Sequence, residues 1–91
     1  MYAVVANQTI DPSRSEEIAR NLRERVVPAQ RALPGCSDVV HLLSEDRQSA
    51  IVILILDTEG HARDAAATIA TPAGAPVVVC STNIYEVSAR A

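Results

Sequence analysis

An α+β fold with the element order βαββαβ is what the sequence predicts, and three observations predict it. Strand-like and helix-like patterns alternate along the 91 residues in that order. The turn-forming tetrapeptide "EDRQ", residues 45–48, joins the second and third strands directly, which makes them antiparallel neighbours. The third observation is "AIVILILD", residues 50–57, where Ile51 to Leu56 are six consecutive large aliphatics. A strand turns alternate side chains to opposite faces, so such a run belongs to a central strand covered on both faces. Together these describe the ferredoxin-like split βαβ arrangement. Strands one and three lie at the centre of a four-stranded antiparallel sheet, with two helices on one face.

The first element is "YAVVAN", Tyr2 to Asn7, extendable through Ile10. A helix start follows, either with Asp11 as N-cap before Pro12 or with Ser13 and Glu16 as a capping box. Ile18, Leu22, Val26, Ala29 and Leu33 recur every three or four residues and make one apolar stripe. Arg14, Glu17, Arg20, Glu24 and Arg31 form the solvated opposite side. Pro28 lacks an N–H and disfavours helical Val27, which predicts a kink or break near residues 24–28. Gly35 in "LPG" stops the helix in a left-handed conformation. The second strand is Ser37 to Ser44, and Asp57 or Thr58 caps a second helix with Ala62, Ala65, Ala66 and Ile69 on one stripe. "TPAGAP", residues 71–76, ends that helix. The last strand runs from Val77 to Ala89, with an irregularity at Ser81 to Asn83.

Composition narrows the function classes. The length suits a single domain spanning residues 1–91 with a thin core, and 48% apolar with 21% charged residues is the profile of a folding chain. A net charge of −3 and no lysine leave no basic field for nucleic acid. No apolar run approaches the ~20 residues that span a bilayer, and the expectation is a soluble, cytoplasmic protein without membrane partners. Cys36 and Cys80 have no metal-type spacing and read as reduced packing residues. His41 and Glu45 would stand some ~13 Å apart at strand rise and cannot share an ion, so neither a metal site nor a cofactor motif is expected.

With both helices on one face, the other face of the sheet is left bare. Val4, Ala6 and half of the Ile51 to Leu56 run are assigned to it, and a homodimer with sheet packed on sheet covers it. Asn7 alternates with that set, sharing a face with Ala3 and Val5, and is expected to line a cavity on the helix side.

The βαββαβ plan, "RALPGC" (residues 31–36), "DTEGHARDAA" (residues 57–66) and the terminal "IYEVSA" (residues 84–89) resemble an antibiotic biosynthesis monooxygenase-type domain of the dimeric α/β-barrel superfamily. The resemblance covers nearly the whole chain. It implies a two-fold dimer and a cavity between sheet and helices for a small hydrophobic or aromatic substrate. It further implies oxidation by molecular oxygen with no cofactor.

Such chemistry needs a base or hydrogen-bond donor beside an apolar cavity. Asn7 and His41 are the candidate catalytic residues. Asn7 stands where the family places a substrate- or oxygen-facing asparagine, and its plain alternative is a strand-end amide bonding the turn into Asp11. His41 is a base of near-neutral pKa, or else a satisfied structural or interface histidine. Tyr2 and Tyr85, the only aromatic residues, are the candidate substrate-binding groups, or plugs of the sheet edge or dimer seam. His61 reads as solvated beside Glu59 and Asp64, and Glu86 with Arg90 offers an inter-subunit ion pair. The chain lacks tryptophan and has "TIATPAGAP" where the family's enzymes carry a further histidine, which disfavours haem cleavage. Two other functions stay open. One is a non-catalytic dimeric domain that binds a small ligand or a partner, and the other is an isomerase or decarboxylase using His41.

Overall fold

The computed structural model describes residues 1–71 and 74–90. Its elements are β1 (Tyr2–Ile10), a 3-10 turn (Pro12–Arg14), α1 (Ser15–Asn21), a π-helical turn (Leu22–Val26), α2 (Val27–Arg31), β2 (Cys36–Leu43), β3 (Ser49–Leu56), α3 (Glu59–Thr68) and β4 (Val77–Glu86). The sheet order is β2-β3-β1-β4 with every neighbouring pair antiparallel, so β1 and β3 are central as the ferredoxin-like order requires.

The local signals resolve into particular bonds. Asp11 is the N-cap that forms: its carboxylate accepts from Ser13 N at 3.0 Å and from Ser13 Oγ at 2.6 Å, so Ser13 serves the cap and does not make its own. At the next helix Thr58 wins, its hydroxyl accepting from His61 N at 3.1 Å. Residues 15–31 form one helical rod broken by the π-turn where Pro28 predicts it. Pro28 has no N–H for Glu24, and Val27 N–H reaches five residues back to Leu22 O. The extra residue in the turn absorbs what the proline removes.

On β4 the irregularity lies at Cys80, just before the predicted place. Asn7 pairs with Ser81 while Gln8 pairs with Val79, leaving Cys80 as the bulged residue. α3 ends at Thr68, and Pro72 and Ala73 of the expected helix stop lie outside the described residues. Arg90 pairs with Asp38 at 2.6 Å within the chain, where the sequence suggests a partner's Glu86.

The two faces of the sheet are the reverse of the expected assignment. Val4 and Ala6 are fully buried under the helices, together with Val52, Leu54, Leu56, Ala62 and Ala65. The bare face carries Ala3, Val5, Asn7, Ile51, Ile53 and Ile55, flanked by Val40, Leu42 and Tyr85. Polarity decides between the two sets. The inward set is apolar along β3 and at Val4 and Ala6 of β1, whereas the outward set of β1 includes Asn7 and Thr9, which would need buried partners beneath a helix. Small Ala62 and Ala65 let α3 lie flat on Val4, Leu54 and Leu56.

Gly35 adopts φ +74, the left-handed stop that "LPG" predicts. A Cβ there would lie 2.0 Å from Asp57 Oδ1 and 2.5 Å from His61 Nδ1, so the turn is pressed against that pair. Gly35→Ala is expected to cost about 2 kcal/mol, combining left-handed strain with displacement of the pair. A urea-unfolding midpoint indistinguishable from that of the parent would refute this.

Candidate functional site

α3 is seated on the sheet, but the rod of residues 15–31 is not. None of its residues is buried, and Ile18, Leu22 and Val26 are only half-covered. With no Phe or Trp in the chain to fill the space beneath, the rod roofs an open cleft of about 1080 Å³. The floor is the hairpin half of the sheet. Gln8 and Ile10 come from β1, His41 and Leu43 from β2, Ala50 and Val52 from β3, and Val77 and Val79 from β4. Ile69, just past α3, lies at its side. The apolar stripe of the rod therefore lines a cavity. A volume of this size suits a drug-sized ligand.

His41 is the polar centre of this floor. β-alternation directs it to the helix side opposite Val52, and Gln30 on α2 meets it, His41 Nε2 donating to Gln30 Oε1 at 2.7 Å. The bond leaves Nδ1 with its lone pair and with no protein partner among the described residues. No buried side-chain nitrogen or oxygen of those residues is unsatisfied, so Nδ1 reaches open space. Burial lowers the pKa of His41 below the ordinary histidine value of 6.5, and the ring is neutral at pH 7.

The other candidates are dispersed. Asn7 is exposed on the bare face and donates from Nδ2 to Ser81 Oγ at 3.1 Å, so it neither lines the helix-side cavity nor bonds the turn into Asp11. Tyr85 is 54% exposed on that same bare face, across from Ala3. Tyr2 faces the helices but packs at the opposite end of the sheet, beside the core, away from the cleft. Of the four residues singled out in the sequence, His41 alone lines the cleft.

His61 is not simply solvated. Its Nδ1 donates to Asp57 Oδ1 at 2.6 Å, and that bond holds the Asp57 carboxyl below the usual carboxylate range. Gln30 had no signal of its own in the sequence, because its role depends on which strand the rod crosses. Among the described residues there is no cluster of three or more potential metal ligands. No helix among them is long and apolar enough to cross a membrane. Cys36 and Cys80 are both free thiols, and burial raises the pKa of Cys36.

No family model matches the chain, and no curated protein sequence does. Among solved structures, that of Rv0793 from Mycobacterium tuberculosis is similar, with a TM-score of 0.59 over 100% of this chain and 99% of that one. The two sequences are 14% identical, so the likeness shows a common ferredoxin-like fold and nothing finer.

Proposed function

We propose that this chain binds a small hydrophobic or aromatic molecule in the cleft between rod and sheet and oxidises it with molecular oxygen, as a cofactor-independent monooxygenase of the antibiotic biosynthesis type. The observation that carries the proposal is a neutral imidazole on the floor of an apolar cleft of about 1080 Å³. His41 Nδ1 accepts a proton from an activated C–H or phenolic O–H, while Gln30 holds the ring through Nε2. The resulting carbanion or phenolate passes electrons to oxygen. For an anthrone, the CH2 carbon becomes C=O, one oxygen atom enters the product, and the other leaves as water with the two hydrogens. The apolar body of the bound substrate, filling the cleft, keeps bulk water from quenching the anion.

A second reading, non-catalytic binding of the same ligand class, is favoured by the scatter of Asn7, Tyr2 and Tyr85, which leaves the cleft one candidate catalytic group. Oxygen uptake with a panel of anthrones and quinols separates these. One O2 consumed per quinone formed from an anthrone, with no hydrogen peroxide released, supports the oxygenase, and saturable binding without uptake supports the binding domain. Turnover without uptake assigns the same base to an isomerase or decarboxylase. Absence of any binding overturns the cleft as the site.

The proposal includes one domain over residues 1–91 and a homodimer through the bare face, where Ile51, Ile53 and Ile55 lie among Val40, Leu42 and Tyr85. At ~25 cal/mol per Å², burying ~500 Å² there supplies on the order of 12 kcal/mol of gross driving force. Part of that is offset by lost translational and rotational freedom.

A further inference from the structure

We propose that the ligand of the cleft is an apolar anion, a hydrophobic body ending in a carboxylate or similar group, held at the mouth by Arg20, Arg25 and Arg47. The inference rests on the cleft being a ligand site and adds the charge class of the ligand. The residues lining the cleft include four of the chain's eight arginines but only two of its eleven acidic residues. The cleft wall is thus +2 in a chain of net charge −3.

One of the two acids is already engaged. Glu17 takes Arg14 in a two-pronged bond, Nε to Oε2 at 2.8 Å and Nη2 to Oε1 at 2.7 Å, and Arg14 Nη1 also donates to Gly74 O at 3.1 Å. Arg20, Arg25 and Arg47 have no carboxylate within 4.0 Å among the described residues, and Glu24 is the remaining acid of the wall. Free guanidinium forks beside an apolar space match a carboxylate at one end of a hydrophobic molecule.

Arg47 supplies a second, independent observation. It is the one non-glycine residue with positive φ, at 63°, among those described. Its N–H closes the turn onto Ser44 O at 3.0 Å, and Asp46 accepts from Ser44 Oγ at 2.6 Å and Gln48 N at 3.0 Å, so that neighbouring acid is turned into its own loop. Hairpins usually place glycine at such a left-handed position. An arginine there works against the backbone, and the residue lines the cleft.

The test compares 1-pyrenebutyrate with the neutral 1-pyrenebutanol by fluorescence titration on the intact chain. The acid is expected to bind about tenfold more tightly, and that preference should fall as salt rises. Arg47→Gly is expected to raise the melting temperature while weakening the acid three- to tenfold and leaving the alcohol unchanged. Arg25→Gln should weaken the acid alone, with stability unaltered. Equal binding of acid and alcohol, or a preference that survives both variants, overturns the anion assignment but leaves the cleft a ligand site. Binding of neither probe overturns both.

Discussion

Leu54→Ala is expected to destabilise the fold by about 3 kcal/mol, within the range for emptying a well-packed leucine site. Leu54 is fully buried at the centre of the helix-side core, between Val4 on one neighbouring strand and Val39 on the other. The core is thin, with seven fully covered apolar residues among those described, two of them alanines of α3. A domain of this length has on the order of 5–14 kcal/mol of stability, so one such loss is a large share. Urea unfolding should show a lower midpoint at unchanged slope, because the surface exposed on unfolding is nearly the same.

The adjacent residue behaves differently because it points the other way. Ile53→Asp places a carboxylate on the bare face, where a folded monomer tolerates it with a loss of less than about 1 kcal/mol. In the proposed dimer the same carboxylate would be buried without a partner, and sedimentation at micromolar concentration should shift from twice 9.7 kDa to 9.7 kDa. A parent chain that sediments as a monomer would sink the dimer, and equal destabilisation by both variants would show the faces to be wrongly separated.

That contrast also marks how far sequence reasoning reaches. The six aliphatics of β3 announce a strand covered on both faces, and the hairpin at residues 45–48 announces its neighbour. Together they carry the topology. Alternation alone is blind to which set goes inward, since Ile51, Ile53 and Ile55 are as apolar as Val52, Leu54 and Leu56. The discriminating residues lie on β1, where Asn7 and Thr9 share the outward set. Once the faces are exchanged, Asn7 leaves the cavity side and His41, in line with Val52 and Ala6 across the sheet, comes onto it.

The cleft was less legible still. Ile18, Leu22 and Val26 have the spacing of core residues, and a helix that stands off the sheet has the same period as one that rests on it. Only the missing large aromatics hint that the space beneath is unfilled. Gln30 and the arginines that line the cleft depend on where the rod crosses the sheet. That path is a tertiary property, set by the π-turn before Pro28 and the stop at Gly35.

His41→Gln is expected to slow the proposed oxidation by 10² to 10⁴-fold, the usual range for removal of a general base, while changing substrate affinity by no more than about threefold. Glutamine keeps a polar group near Gln30 but has no nitrogen that accepts a proton at neutral pH. The pH dependence follows from burial. The native imidazole titrates below 6.5, so the rate should rise with pH through that lowered value and stay level across neutrality. Stability changes in the same direction. In the unfolded chain His41 takes up a proton near pH 6.5, whereas the native ring resists protonation until lower pH. Its contribution is therefore complete above about 6.5 and is lost as pH falls from there through the native value. His41→Gln should remove this portion of the acid slope in urea midpoints measured between pH 5 and 7. A rate that is indifferent to the substitution removes His41 as the base, and a rate midpoint above 6.5 would require a carboxylate partner in place of the neutral Gln30 that the cleft provides.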